Sequence, residues 1–326
     1  MSQTIDIQSA VKGEPKRRAQ LADFFIRLVR EKPLGTIGGI IVLLMLLTAI
    51  FADFLAPHPY QEIHMGDRLH PPGTEYFLGA DALGRDVLSR IIYGTRLSLY
   101  VGLGASAINV VFAALIGVPS GYIGGKFDVI VQRFVDALLS FPGLILLITV
   151  MSLVGVGVVQ VIVVLGILGG ITWIRVVRAA VISIRENVYF EAAKAIGAST
   201  QRLIGQHVLP NIMPVLIIVF SVSVAGNILA EATLSFLGVG IPPPYPSWGA
   251  MLSWEGRTYM YEATWLAIWP GVALSIAVYG ISMWGDAVRD LLDPRLRGGG
   301  GRFTKGKKKR ADRKEDQGSG GIDKSD

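Results

Sequence analysis

Residues whose types and spacing could support catalysis are scarce in this chain. Cysteine is absent, which excludes disulfides, thiolate metal sites and a cysteine nucleophile. The four histidines, at positions 58, 64, 70 and 207, are too scattered to suggest a metal centre. The sequence also contains neither the paired histidines of zinc hydrolases nor the nucleophile elbow of serine hydrolases. We therefore expect no catalytic residue, no metal and no cofactor in this chain.

One basic stretch approaches the phosphate-binding loop of nucleotide-binding proteins. The glycines and the lysine of Gly301–Lys308 have the spacing of that loop, but the final Ser or Thr that binds magnesium is missing. The apolar strand that precedes such a loop and the helix that follows it are also missing. We interpret this stretch as a basic tail that is attracted to anionic lipid, and not as a nucleotide site.

Four charged residues occur close together in a segment that is too polar to cross a membrane: Asp81, Arg85, Asp86 and Arg90. They could contact a protein that delivers a solute from outside. They could equally hold their own segment together through local salt bridges. We favour this second interpretation.

Glu231 is an ionisable residue near the end of an apolar stretch that also contains Asn227 and Ser223. Burying its charge at membrane depth would cost on the order of 3 kcal/mol or more, which makes such a residue a candidate for a transport pathway or gate. The alternative is that Glu231 is solvated at the outer interface. Ser and Asn also serve as contacts between membrane helices, so these three residues do not by themselves establish a pore.

Long uncharged stretches must position these residues. The chain is 51% hydrophobic and only 17% charged, with a mean hydropathy of +0.50. A membrane-crossing helix needs about 20 apolar residues. The stretches that meet this requirement are Pro33–Ala52, Leu99–Val118, Ala137–Ile174, Ile212–Ala230 and Ala263–Gly285. Because Ala137–Ile174 is long enough for two helices joined at Gly155–Gly157, we predict an all-α integral membrane fold with six transmembrane helices.

The distribution of Lys and Arg predicts the orientation. With both termini in the cytoplasm, 26 of the 31 basic residues lie on the cytoplasmic side, as the positive-inside rule requires. We expect the first span to be retained, and we attribute the basic character to membrane orientation and not to nucleic-acid binding. The predicted segments are a cytoplasmic N-terminal segment 1–32, a first transmembrane helix 33–56, an outer segment 57–95, a membrane domain 96–286 and a largely disordered cytoplasmic tail 287–326.

The loop 186–210 between the fourth and fifth spans carries the most informative pattern. Residues 191–196 favour a helix, which Gly197 can end by adopting a positive φ angle. Ser199 can cap a second helix with an apolar stripe at positions 203, 204 and 208. We expect Pro210 to end that helix and to introduce the next span. An interfacial amphipathic helix–turn–helix and a helix that docks in a groove of a soluble partner fit this pattern equally well.

A resemblance to a known family favours the docking helix. Glu191-Ala192-Ala193, Gly197 and Leu209-Pro210 resemble the EAA loop of ABC importer permeases, although His207 stands where the general pattern has Ile. In that family the loop forms a coupling helix that docks on the ATPase subunit. The resemblance therefore implies that Glu191, Ala192, Ala193, Gly197, Leu209 and Pro210 form an ATPase-docking surface.

Further segments resemble one branch of that family, the C-type subunits of dipeptide, oligopeptide and nickel permeases. These segments are Leu78–Leu99, Leu234–Gly238, Pro246–Leu252 and Gly285–Pro294, and the resemblance covers roughly residues 34–297. It implies a type I ABC importer permease fold that forms half of a pathway for peptides across the cytoplasmic membrane of a bacterium or archaeon.

The implied partners are a second homologous permease, two ATPase subunits that hold ATP and Mg, and an extracytoplasmic substrate-binding protein. Nickel, glutathione or another small solute remains open as the substrate. A secondary transporter driven by an ion gradient is a more distant alternative. It requires carboxylates deep within the spans, which the uncharged cores disfavour.

Overall fold

Residues 26–292 are described by a computed structural model, and within them the chain is mostly helical. The chain divides into two units, Leu34–Arg289 and a smaller one made of Met1–Pro33 with Asp290–Asp326. In the described part of the smaller unit, residues 26–31 are helical and Lys32 pairs with Asp290. The predicted basic tail and the phosphate-loop-like stretch lie outside the described residues.

The helices follow one another along the chain, with long connections before Val87 and before Trp265. In order they are α1 Pro33–Ile50, α2 Ala52–Leu55, α3 Val87–Ile123, α4 Gly125–Leu139, α5 Gly143–Val154, α6 Val158–Arg185, α7 Val188–Ala195, α8 Thr200–Arg202, α9 Leu209–Phe236, α10 Trp248–Met251 and α11 Trp265–Leu292. A short 3₁₀ turn forms at Met65–Asp67, and π-helical turns form at Leu203–Val208 and Leu252–Gly256.

Five helical segments of the described chain are long and apolar enough to cross a membrane: α1, α3, α6, α11 and the continuous helix Thr200–Phe236. The bent pair α4 and α5 can supply a sixth span. The all-α prediction is confirmed, and six spans are reached when this pair counts as one. Helix α3 has 37 residues and begins at Val87, well before the predicted start at Leu99, so it extends beyond the predicted span into the segment assigned to the outside.

The third span differs from the prediction that it starts at Ala137. Helix α4 ends at Leu139, and α5 begins at Gly143 after a bend of 90°. The break follows from Pro142, since a proline disfavours helical φ and ψ angles in the residue before it. Helix α5 has 12 residues, or about 18 Å at 1.5 Å per residue, too short to cross a bilayer alone. The predicted turn at Gly155–Gly157 is confirmed, since α5 ends at Val154 and α6 begins at Val158.

Helices α3 and α6 lie side by side and run parallel. Gly104 contacts Ile162 near one end of the pair, and Gly121 packs against Val181 near the other. Glycines at these contacts let the two backbones approach closely, as small residues do between membrane helices. Helix α9 packs against α3 in the opposite direction, with Ile228 against Gly102. These three helices form the centre of the bundle.

The connecting segments gather at two opposite ends of this bundle. One end, which we call the loop end, comprises residues 121–125 and 185–208. The other, which we call the crown, comprises residues 57–86 and 237–262. Two tryptophans fix the position of the crown. Trp248 Nε1 donates a hydrogen bond to Ile91 O, and Trp265 Nε1 donates one to Ala80 O, each with a donor–acceptor distance of 3.2 Å.

The expectation that Pro210 ends a helix is wrong. The chain is helical without interruption from Thr200 to Phe236, and Pro210 lies in the first turn of α9. Just before it, Leu209 N–H donates to Ile204 O, five residues back, in the register of the π-helical turn. This wider turn gives the pyrrolidine ring the room that it lacks in a regular α-helix, where proline clashes with the carbonyl four residues earlier.

Candidate functional site

The resemblance places a docking helix at the loop end, and the structure forms a short helix there, α7, which ends at Ala195. Gly197 follows with φ of +85°, so the predicted break is confirmed. Gly197 N–H donates to Lys194 O and Ala198 N–H donates to Ala193 O, which together make a Schellman motif. Ser199 Oγ accepts a hydrogen bond from Arg202 N–H and caps the next helix, as predicted.

The side chains of α7 divide into one anchor and an exposed face. Phe190 is 4% exposed and packs edge-on against Tyr122 at the end of α3, with 6.4 Å between ring centroids. Glu191 and Ala192 are exposed, whereas Ala193 is partly buried. Ala193 therefore contributes to the base of the helix, while Glu191 and Ala192 are available to a partner.

Two exposed apolar residues flank this face. Val188 is 83% exposed and Ile196 is 87% exposed. Apolar side chains this accessible at the end of a bundle are typical of a surface that another protein covers. Sequence reasoning missed both residues, although their place just outside the Glu-Ala-Ala motif is a signal that could have found them.

The helix after Gly197 packs against α7 and connects it to the core of the bundle. Leu203 and Val208 are 2% and 0% exposed and pack with Val177 and Val181 of α6, so the predicted apolar stripe is confirmed as a buried one. Leu209 and Pro210, the other predicted docking residues, are exposed on the first turn of α9. The structure thus presents the predicted residues on two separate helices on either side of Gly197.

Charged side chains tie the helices together near the loop end. Arg178 of α6 donates to both carboxylate oxygens of Asp128 in α4, and Ser120 Oγ donates to the same carboxylate. Arg175 pairs with Asp136, about two turns further along α4. These ion pairs fix the bent helix α4 against the helix that leads directly into α7.

Two of the three polar residues predicted in the fifth span, Asn227 and Ser223, are buried, and one of them forms a hydrogen bond with another helix. Asn227 Nδ2 donates to Ser106 Oγ of α3 over 2.9 Å, and Asn227 is 6% exposed. Asn227 also borders a cavity of about 310 Å³ that Thr172 and Phe141 help to line. Ser223 is buried, and its hydroxyl has no hydrogen-bond partner among the described residues. Asn227 thus connects the predicted pathway residues to a cavity within the described part of the chain.

Glu231 is not solvated at an interface, so that alternative is wrong. It is 0% exposed, and its Oε1 accepts hydrogen bonds from Ser235 Oγ at 2.7 Å and Ser247 Oγ at 2.8 Å. Its Oε2 has no partner among the described residues. Because Ser247 begins the crown helix α10, Glu231 connects α9 to the crown and does not border the Asn227 cavity.

The charged residues near position 85 form one buried cluster in the crown. Asp81 is 0% exposed, and its Oδ2 accepts a hydrogen bond from Arg85 Nε over 2.6 Å. Arg85 Nη2 donates to Glu255 Oε1 over 2.7 Å. Arg90 Nε lies 3.5 Å from Asp81 Oδ2. Glu255, which lies 170 residues from Arg85, was not found by sequence reasoning.

Asp86 belongs to the same segment but has a separate role. Its Oδ2 accepts hydrogen bonds from Ser89 N–H at 2.9 Å and Ser89 Oγ at 2.6 Å, so it caps the start of α3. The favoured interpretation of this segment, that its charges hold it together, agrees with these contacts. Within residues 26–292 no three His, Asp or Glu side chains are arranged to hold a metal ion.

Comparison with family models gives two matches. Residues 113–298 match the model described as "Binding-protein-dependent transport system inner membrane component". Residues 20–72 match the "N-terminal TM domain of oligopeptide transport permease C". Together they include α1, the coupling-loop candidates and the polar residues of α9.

Curated relatives match over most of their length. A dipeptide transport system permease protein of Alkalihalophilus pseudofirmus is 36% identical over 82% of this chain and 88% of its own. A di/tripeptide transport system permease protein of Pseudomonas aeruginosa is 36% identical over 85% of this chain and 93% of its own. A glutathione transport system permease protein of Pectobacterium atrosepticum is 35% identical over 86% of this chain and 93% of its own.

Proposed function

Because the chain belongs to the family of binding-protein-dependent transport system inner membrane components, we propose that it forms half of an ATP-driven import pathway for di- or oligopeptides. The other half would be a second, homologous permease. Two ABC ATPase subunits would dock beneath the two permeases, one of them at the loop end of this chain, and an extracytoplasmic binding protein would deliver the solute to the crown. In this arrangement both termini face the cytoplasm, and the membrane is the cytoplasmic membrane of a bacterium or archaeon.

The observation that carries this proposal is the form of α7. It is a short helix that exposes Glu191 and Ala192, and its C-terminal Schellman motif and the anchor Phe190 fix its position. A helix held in this way can transmit a displacement to α6 and α9 without catalysing any reaction. The chemistry of ATP and Mg belongs to the partner subunits, so we assign no catalytic residue to this chain.

The proposed cycle uses the helices that the loop end connects. Binding of ATP would close the two ATPases and draw the coupling helices of the two permeases together. The ion pairs Arg178–Asp128 and Arg175–Asp136 would carry this displacement to α4 and the bend at Pro142. The pathway would then change from inward to outward access, and hydrolysis would reset it.

Peptides are the substrate class that the matched relatives favour, since permeases for dipeptides and for di- and tripeptides are among them. Glutathione is itself a tripeptide with a free carboxylate, so it belongs to the same chemical class. Nickel remains an alternative within the family.

Co-purification of an ATP-binding subunit tests the proposal. We would purify the tagged full chain from native membranes and compare it with a double variant, Glu191→Ala plus Gly197→Pro. Glu62→Ala, an exposed glutamate at the crown, is the matched control. We expect the wild type and the control to retain the ATP-binding subunit and the double variant to lose it. Equal retention by all three would contradict the docking surface, and absence from all three would contradict the importer.

A further inference from the structure

A cavity of about 580 Å³ opens in the crown. Its size falls within the range of small-molecule binding sites, about 300–1,000 Å³. One wall is formed by the start of α3 and the residues before it, and the opposite wall by the segment 238–259. The charged residues on these walls are Arg85, Arg90 and Glu255. The cavity lies within a single chain, at the far end of the bundle from the coupling loop.

The two arginines on the cavity wall differ in their hydrogen-bond partners. Arg85 has both of its carboxylate partners, Asp81 and Glu255, at hydrogen-bond distance. Arg90 is 6% exposed, and its Nε has no hydrogen-bond partner among the described residues. Arg90 Nη1 reaches Tyr60 O at 3.3 Å, and its ion pair with Asp81 at 3.5 Å is too long for a good hydrogen bond.

A guanidinium carries five N–H donors in a planar fork that matches a carboxylate. Buried polar groups are normally hydrogen-bonded, and the exceptions need an explanation. Burial, reinforced by the Asp81 carboxylate, raises the pKa of Glu255, and this carboxyl group is already hydrogen-bonded to Arg85. What this wall lacks is therefore an anionic acceptor for Arg90.

The rest of the cavity is suited to an apolar group. It is also lined by Trp254, Tyr245 and the prolines 242 and 243, and the exposed fractions of Trp254 and Tyr245 are 72% and 45%. Exposed aromatic side chains next to a buried cation are typical of sites that bind a charged group and an apolar group of the same ligand.

We propose that the crown cavity is a solute-binding site of the permease itself, which takes the C-terminal carboxylate of a short peptide at Arg90 and an apolar side chain of that peptide against Trp254. This inference rests on the proposed function and names the form of the substrate, a peptide with a free C-terminus. A binding protein would reach Arg90 through an Asp or Glu side chain, whereas a short peptide brings both a carboxylate for Arg90 and an apolar side chain for Trp254, which together match the lining of this cavity.

The test measures peptide binding to the assembled permease complex in lipid nanodiscs, without ATP and without the binding protein. The probe is radiolabelled Ala-Ala-Phe, displaced either by unlabelled Ala-Ala-Phe or by its C-terminal amide. Because a charge-assisted hydrogen bond is about twice as strong as a neutral one, we expect the free acid to displace the probe about tenfold better than the amide. Arg90→Gln should reduce this ratio to about one.

Arg257→Gln is the matched control, since Arg257 is exposed on the crown but does not line this cavity. It should keep the tenfold ratio. Trp254→Ala removes an exposed side chain and is a second variant for the case in which Arg90→Gln does not fold. It should weaken Ala-Ala-Phe several-fold more than Ala-Ala-Ala.

Equal displacement by the acid and the amide in the wild type would overturn the proposal, as would a tenfold ratio that persists in a folded Arg90→Gln variant. A Trp254→Ala variant that weakens both peptides equally would also overturn it. If Arg90→Gln instead leaves peptide binding unchanged and weakens binding of the purified binding protein, the cavity is a docking socket and the proposal is wrong. Because binding is measured without ATP, any of these results leaves the proposed import function to be judged by ATP-driven uptake.

Discussion

The guanidinium of Arg178 in α6 holds the carboxylate of Asp128 in α4 through two hydrogen bonds, 50 residues apart in sequence. Ser120 Oγ completes the site from α3. Three helices thus meet at one carboxylate near the loop end, where α6 leads into the coupling helix α7. This contact gives the bent helix α4 a fixed position relative to the surface on which an ATPase would act.

Asp128→Asn should therefore destabilise the folded chain. The carboxylate is nearly buried while the guanidinium is 31% exposed, so we expect a loss of about 1–3 kcal/mol in the free energy of unfolding, less than for a fully buried pair. The thermal unfolding midpoint in detergent measures the loss. Asp53→Asn, which breaks the exposed pair with Arg96, should give a smaller shift. Equal shifts would show that Asp128 has no special structural role.

Gly197 should tolerate Asn better than Ala. A Cβ at this position would meet no atom within 4 Å, so the cost of substitution comes from φ of +85° alone. That cost is about 1–2 kcal/mol for Ala, and Asn visits this conformation more readily. ATP-driven uptake should fall in Gly197→Ala and be largely kept in Gly197→Asn, at equal amounts of protein in the membrane. Higher uptake in Gly197→Ala than in Gly197→Asn would contradict this account of the Schellman motif.

Gly249→Ala should prevent correct packing of the crown. An added Cβ would lie 2.0 Å from Ala232 O, a backbone atom of α9 that cannot give way cheaply. We expect little folded protein in the membrane, measured by size-exclusion profiles in detergent. Gly226→Ala is the matched control on α9, because a Cβ there would meet nothing within 4 Å. A well-folded Gly249→Ala variant would show that the crown is packed more loosely than this contact requires.

Tyr76 should ionise well above the usual pH range of a tyrosine. Its hydroxyl donates to Asp67 Oδ2 over 3.0 Å, and burial together with this bond raises the pKa of Tyr76 to about 12. Because the folded pKa lies above the unfolded value, its contribution to stability is complete below about pH 10 and is lost as the pH rises toward 12. Ultraviolet absorbance of wild type and Tyr76→Phe, measured as the pH is raised, follows the ionisation of the tyrosines. The difference between the two titration curves should show one tyrosine that ionises near pH 12. A difference centred near pH 10 would contradict the prediction.

Features that depend on neighbouring residues could be predicted from the sequence. The turn at Gly155–Gly157, the positive φ of Gly197 and the cap at Ser199 are each set by the conformational needs of a few adjacent residues. The apolar stripe of Leu203 and Val208 also follows from local helical spacing. For the same reason the short helix before Gly197 could be placed to within a few residues.

Features that depend on distant residues could not be predicted from the sequence. The partner of Arg85, Glu255, lies on another crown segment, and no periodicity joins the two positions. The continuation of the helix through Pro210 depends on a π-helical turn, which has no reliable sequence signature. Glu231 was recognised as unusual in a span, but its bond to Ser247 depends on how the crown folds back onto α9.

The central claim, ATP-driven import of peptides through this chain, is tested most directly by uptake into right-side-out membrane vesicles from cells that have or lack the chain. We would load the vesicles with ATP, add the binding protein and radiolabelled Ala-Ala-Phe, and compare ATP depletion with a protonophore. The account predicts that uptake requires the chain, stops on ATP depletion and survives the protonophore. Uptake that survives ATP depletion but stops with the protonophore would contradict it and favour a transporter driven by an ion gradient.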